Sequence, residues 1–227
     1  MKEQVLFIFI LTIAVVTKAY SSSDDNDENA LVLEHLIRSL FRYHESSKHP
    51  PLKQRGESTF NEAQRQFQNE SLLSHNVLRA QHCSPPLVLD DEINTRAQIY
   101  ADILAYNDTG LIHSNNRLGL FGENLYSVQR SRPIVNIDGF GDKVTRTWYS
   151  EILRYDYTKP GYARNIGHFS QVVWKNSERL GVGYAFSKQG RKMYVVAQYG
   201  PPGNYDFAFG SNVVDPTTCS WEQENKR

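Results

Sequence analysis

At 227 residues, 40% hydrophobic and 22% charged, the chain has enough apolar material to bury one substantial core. Lys plus Arg equal Asp plus Glu, 25 against 25, so no field of one sign exists to gather phosphates from a distance, and nucleic acid is not an expected partner. One domain with extensions is expected.

The chain opens Met-Lys-Glu-Gln and then runs apolar from Val5 to Val16, broken only by Thr12, before Thr17-Lys18-Ala19. A run of about 12 residues is short of the ~20 that a bilayer core requires. It suits the hydrophobic region of a signal peptide spanning 1–19, cut near Ala19 after small residues, with an uncleaved N-terminal anchor as the alternative. No other long apolar run exists, so no transmembrane segment is expected after cleavage. Residues 20–58 read as an acidic, partly helical extension and linker. Ser21 to Asn29 has nothing to bury, while Leu33, Leu36, Ile37, Leu40 and Phe41 recur at helical spacing over 31–44. Pro50-Pro51 and Gly56 mark the linker.

A globular domain is expected over 59–212, followed by a tail over 213–227. Its first helix carries Phe67, Leu72, Leu73, His75, Asn76, Leu78 and Arg79 and ends at the Cys83-Ser-Pro-Pro86 loop. Asp90 is placed to cap a second helix whose apolar face is Ile93, Ala97, Tyr100, Ala101 and Leu104. A third is predicted over Lys143 to Leu153 with Val144, Trp148 and Ile152 inward, and a short fourth over Gly167 to Asn176. Leu180 to Phe186 and Lys192 to Tyr199 read as an antiparallel hairpin with Gly190 at a positive-φ position. Leu111 to Ser114 and Glu123 to Val128 are candidate further strands. Helices around a small antiparallel sheet predict an α+β fold, a three-layer α/β/α sandwich.

Two smaller features bear on cell location. Asn69-Glu70-Ser71 and Asn107-Asp108-Thr109 are acceptor patterns for N-linked glycan, short enough to arise by chance. Cys83 and Cys219 are the only cysteines. One bridge between them would close a loop worth roughly 4–5 kcal/mol by chain entropy; two free thiols are the alternative.

Gly167-His-Phe-Ser-Gln-Val-Val-Trp-Lys-Asn-Ser177 resembles the first signature of the CAP superfamily, which unites cysteine-rich secretory proteins, antigen 5 and pathogenesis-related proteins around the SCP domain. Tyr194 to Tyr205 resembles the second signature, with Ala197 where many members carry a cysteine. His75-Asn76 with Arg79, Gly122-Glu-Asn-Leu125 and Trp148-Tyr-Ser-Glu-Ile152 fit the family in the same order, so the resemblance covers about residues 60–210. The sparse cysteines make the chain most similar to the cysteine-poor subgroup of Golgi-associated pathogenesis-related proteins. It departs from that subgroup in carrying an apparent signal peptide instead of a myristoylation sequence, which points to a secreted, extracellular protein.

The resemblance implies a central cleft lined by His113, Glu123, Glu151 and His168. Two imidazoles can each give one nitrogen to a divalent metal while carboxylates accept the other N–H and fix the tautomer. Zinc is the natural choice. Two ligands are fewer than the three or four usual at zinc, so His113 and His168 would hold it weakly. On spacing alone, the same residues read as a structural hydrogen-bonded cluster. Asn124 is a candidate for positioning a cleft group or a turn residue. His75, Arg79 and His82 read as a structural network.

Three functions follow. The first is a secreted binder of a hydrophobic ligand, a sterol or lipid, acting in extracellular defence or signalling. The second is a metal-dependent hydrolase or protease with Glu123 or Glu151 as general base, although no Ser or Cys nucleophile lies in a recognisable elbow or triad. The third is an interaction protein that engages a receptor or other partner. Oligomeric state is left open.

Overall fold

The computed structural model describes residues 60–114 and 120–219. The predicted leader, the 20–58 extension with its 31–44 segment, and residues 220–227 lie outside them.

Asn61 begins the first helix through a reciprocal cap: its Oδ1 accepts from the Gln64 amide at 2.9 Å while Gln64 Oε1 accepts from the Asn61 amide at 3.0 Å. The helix, α1, runs Glu62–Ala80 and buries Phe67, His75, Leu78 and Arg79. After the Cys-Ser-Pro-Pro loop, Val88–Leu89 forms a two-residue strand, β1. Asp90 then caps α2 (Asp91–Asn107) by accepting from the Glu92 and Ile93 amides, as its position predicts. Strand β2 is Gly122–Gln129, α3 is Phe140–Tyr149 continued by a 3₁₀ turn over Ser150–Arg154, and α4 is Gly167–Val173. The predicted hairpin follows as β3 (Arg179–Phe186) and β4 (Lys192–Gly200), with Gly190 at φ +63° in its turn. A 3₁₀ turn (Asp206–Ala208) and a short helix α5 (Phe209–Asn212) close the described chain.

The sheet order is β1-β3-β4-β2, with the three long strands antiparallel and β1 added in parallel against Arg179 and Leu180 of β3. Period-two alternation in β4 builds the layers. Met193, Val195, Ala197 and Tyr199 join Phe67, Trp148, Phe169 and Val172 from α1, α3 and α4 on one face. Tyr194 and Val196 meet Ala97, Ala101 and Leu104 of α2 on the other. The α/β/α sandwich is the observed architecture.

Close approach of α2 to the sheet depends on Gly181 and Gly183 in β3, where a Cβ would collide with α2 backbone at Ile93–Asn94 and Ala97–Gln98. That contact lets Asn94 and Gln98, four residues apart, reach past β1 and bond β3 directly. Asn94 Oδ1 accepts from the Val182 amide at 2.8 Å, and Gln98 accepts from the Tyr184 amide at 3.2 Å while donating to its carbonyl at 2.8 Å. The side chains close an edge that the short β1 leaves open.

Three expectations shift. Leu111 to Ser114 is not a strand: the Ile112 carbonyl accepts from Tyr100 Oη at 2.6 Å and the Ser114 amide donates to Glu123, so side chains take its backbone groups. The third helix starts at Phe140, not Lys143, because Glu70 of α1 accepts from the Gly139 and Gly141 amides and caps it from outside. The fourth stops at Val173, where Ser84 and Arg79 take its last carbonyls.

Cys83 and Cys219 are joined, 136 residues apart in sequence. Replacing both with serine is expected to cost about 4 kcal/mol in the extrapolated unfolding free energy, with a steeper denaturant slope because the freed unfolded chain exposes more surface. A loss under ~1 kcal/mol would mean that the tail contributes nothing to closing the fold.

Candidate functional site

Glu123 is the second residue of β2, paired with Gln198 in the strand register. Its Oε1 accepts from His113 Nδ1 at 2.8 Å and from the Ser114 amide at 2.9 Å, and its Oε2 accepts from Gln198 Nε2 at 3.0 Å. Glu151 stands on the 3₁₀ turn after α3, which swings its carboxylate to the N-terminus of α4. Oε1 accepts from His168 Nδ1 at 2.7 Å, and Oε2 from the His168 and Phe169 amides at 2.9 and 3.2 Å. The four predicted residues thus stand as two His–Glu pairs built alike.

In each pair the carboxylate lies behind and the imidazole in front. The side chain of Glu123 is 8% exposed against 65% for His113, and Glu151 is 15% exposed against 35% for His168. Burial alone pushes the Glu123 carboxyl up, but the bonds from His113, Ser114 and Gln198 outweigh it and hold it below the ordinary range. Glu151 behaves the same way: burial raises it, while His168 and the two α4 amides bring it down further. Both carboxylates are therefore ionised and accept from Nδ1, so in a neutral imidazole of either pair Nε2 is the nitrogen with the lone pair.

The pairs are tied together by three consecutive residues of β2. Glu123 holds His113; the Asn124 amide donates to the His168 carbonyl at 3.1 Å; and the Leu125 carbonyl accepts from the Trp148 indole N–H at 3.0 Å. The Trp148 ring stacks on His168 at 6.5 Å between centroids and 25° between planes. Exposed apolar side chains flank both pairs in the chain: Leu111 and Ile112 precede His113, and Leu153, 89% exposed, follows Glu151 on the same turn.

Among the described residues no group of three or more His, Cys, Asp and Glu side chains is placed to hold a metal ion. Two imidazole nitrogens, one from His113 and one from His168, are fewer protein donors than a resident zinc takes. Each pair does have the carboxylate behind Nδ1 that orients a metal-ligating histidine.

Other predicted residues belong to neither pair. Asn69 is exposed in the middle of α1, where Ser71 of its acceptor pattern is buried and bonded to Thr145 at 3.1 Å. Asn107 ends α2 in an exposed turn at Asp108. His82 Nδ1 donates to the Val214 carbonyl at 2.6 Å and its Nε2 lies 2.9 Å from Tyr149 Oη, a structural contact. Gln198 and Tyr199 were not singled out from sequence, although the alternation of β4 assigns them to opposite faces, one beside Glu123 and the other beside Asn124.

Residues 72–199 match CAP, the cysteine-rich secretory protein family. The Golgi-associated plant pathogenesis-related protein 1 of Homo sapiens is 40% identical over 157 residues, 68% of this chain and 96% of that protein. Pathogenesis-related protein 1A of Nicotiana tabacum is 37% identical over 146 residues, 61% of this chain and 77% of that one. The fold is shared with BmVAL-1 at a TM-score of 0.51 and 19% identity, covering 65% of this chain and 81% of that one.

Proposed function

The chain belongs to the CAP, or cysteine-rich secretory protein, family, and on that premise we propose that it is a secreted, non-enzymatic binder of a hydrophobic ligand, a sterol or other lipid. The ligand's apolar part lies along the exposed side chains beside the cleft and its polar group meets His113 and His168. The observation that carries this reading is that both cleft carboxylates are engaged on each oxygen and held below their ordinary range. A general base works best with a proton affinity near the operating pH, so these carboxylates are poor bases and good anchors for imidazoles. Leu153 and Ile112, 89% and 57% exposed, supply apolar surface beside the two anchors. A divalent ion would draw on the Nε2 atoms of His113 and His168, two donors that would hold it loosely. Export is supported by the leader and by the Cys83–Cys219 bridge, a bond of oxidising compartments.

The test is titration of the chain, purified from a secretory host, with a fluorescent sterol and a fluorescent fatty acid. Saturable binding of one class is expected, weakened about tenfold or more in Ile112→Ser/Leu153→Ser through loss of apolar contact. Binding of neither class, or identical binding by the double variant, would overturn the proposal.

A further inference from the structure

Behind the cleft, a line of fully buried polar groups runs from α1 to β2. His75 Nδ1 lies 2.7 Å from the Ser71 carbonyl oxygen, His75 Nε2 lies 2.8 Å from Tyr199 Oη, and Asn124 Nδ2 lies 3.2 Å from the same Oη and 3.1 Å from the His168 carbonyl oxygen. His75 and Tyr199 are 0% exposed and Asn124 1%. The two ends are carbonyl oxygens, which only accept, and this fixes every proton between them. The Ser71 carbonyl requires the proton of His75 on Nδ1. Nε2 is then an acceptor, so Tyr199 donates to it. The Tyr199 oxygen is left to accept, and the Asn124 amide donates to it with one hydrogen and to His168 with the other.

We infer that Asn124 is the positioning residue of the cleft, and that a one-way hydrogen-bond chain from Ser71 through His75 and Tyr199 sets the direction of its amide. Its neighbours Glu123 and Leu125 hold His113 and the Trp148 indole, so the amide that fixes His168 also registers it against both. Trp148 lies between the chain and the cleft, its ring 6.4 Å from His75 and stacked on His168. Asparagine is required at this position because the two acceptors need two hydrogens from one atom. The isosteric aspartate has none to give when ionised and at most one when protonated. Tyr199 would then turn its hydroxyl toward the acid and abandon His75 Nε2.

This role bears on the proposed ligand site, but its geometry is measured without ligand. In the intact secreted chain, nitrogen-15 NMR is expected to show His75 as the neutral Nδ1–H tautomer, and the ring protons of His168 to carry an upfield shift from the Trp148 indole. In Asn124→Asp the His75 ring keeps its Nδ1 proton on the Ser71 carbonyl, its Nε2 signal shifts because the Tyr199 donor has turned away, and the His168 shift is lost. Tyr199→Phe, which cuts the chain between His75 and Asn124, changes the His75 Nε2 signal and moves the His168 shift part of the way toward its Asn124→Asp value; an unmoved His168 shift overturns the role of the chain. Val128→Ala, at the far end of β2, is the control for general loss of stability and moves neither signal. Where a lipid binds, Asn124→Asp weakens it about tenfold, the loss of one charge-free positioning contact in the cleft. An Nε2–H tautomer in the wild type, or wild-type His168 shifts in Asn124→Asp, overturns the inference; lipid binding that persists beside either result leaves the binder reading standing. If Asn124→Asp does not fold, the Tyr199→Phe spectra and the wild-type tautomer decide alone.

Discussion

Arg79→Ala is expected to destabilise the protein by at least about 5 kcal/mol, a range that single substitutions reach by a short set of mechanisms, the breaking of a buried hydrogen-bond network among them. Arg79 is 0% exposed, and its guanidinium donates to five carbonyls: Pro85, Val172, Trp174, Lys175 and Ser177. Four of these lie at and just past the end of α4, where the last carbonyls have no helical partner and the helix dipole presents its negative end. The charge is thus held by peptide dipoles, with no carboxylate pairing it among the described residues. Burial pulls its pKa down to about 9, still protonated at neutral pH. Removing the donor leaves several buried acceptors unsatisfied at ~1–3 kcal/mol each, relieved only where water enters. Arg79→Lys keeps the charge but replaces the planar fork with a point of three donors, and about 3 kcal/mol is expected. Equilibrium urea unfolding measures both. A loss under ~2 kcal/mol for alanine would show that the α4 end is held by something other than Arg79.

The local features of this fold were readable in advance, and the distant ones were not. Asp90 caps α2, Gly190 turns the hairpin and Ala97, Ala101 and Leu104 face the sheet because each is decided within a few residues. The four residues of the two His–Glu pairs were legible through likeness to a family, not through spacing. What escaped was built by side chains that cross the fold to bond backbone. Glu70 caps α3, Asn94 and Gln98 close the edge of β3, and Glu123 takes the Ser114 amide, which a strand over Leu111 to Ser114 would have offered to a neighbouring strand. Arg79 appeared as one member of a helical network, yet its acceptors lie as far as 98 residues along the chain. No periodicity records such a bond. The same is true of the His113–Glu123 pair, where Gln198 reaches Glu123 from 75 residues away.

Acid is expected to weaken the fold well before the carboxylates protonate, and His75 is the reason. Its pKa falls from 6.5 to about 3: burial is the largest cause, the Ser71 carbonyl pulls the other way, and the Arg79 charge adds to the lowering. A histidine depressed in the native state is neutral there while its unfolded counterpart takes a proton. Between pH 6.5 and 3 the unfolded chain therefore binds more protons, and stability must drop as pH falls through that window. The full separation corresponds to roughly 5 kcal/mol at 1.36 kcal/mol per unit. His82, depressed by burial and only partly restored by the Val214 carbonyl, contributes in the same direction. Glu123 and Glu151 add their own loss only at lower pH, since their native pKa values lie below the ordinary carboxylate range. Urea unfolding at pH 7.5, 6.5, 5.5 and 5.0, conditions chosen above roughly the carboxylate range, isolates the histidines. A decline approaching ~1.4 kcal/mol per unit for His75 is expected below pH 6, and His75→Gln should flatten it while lowering stability at neutral pH, because glutamine cannot span from the Ser71 carbonyl to the Tyr199 hydroxyl as the rigid ring does. A flat profile from pH 6.5 to 5.0 in the wild type would mean that the buried imidazole accepts its proton without opening the chain of bonds that ends at His168.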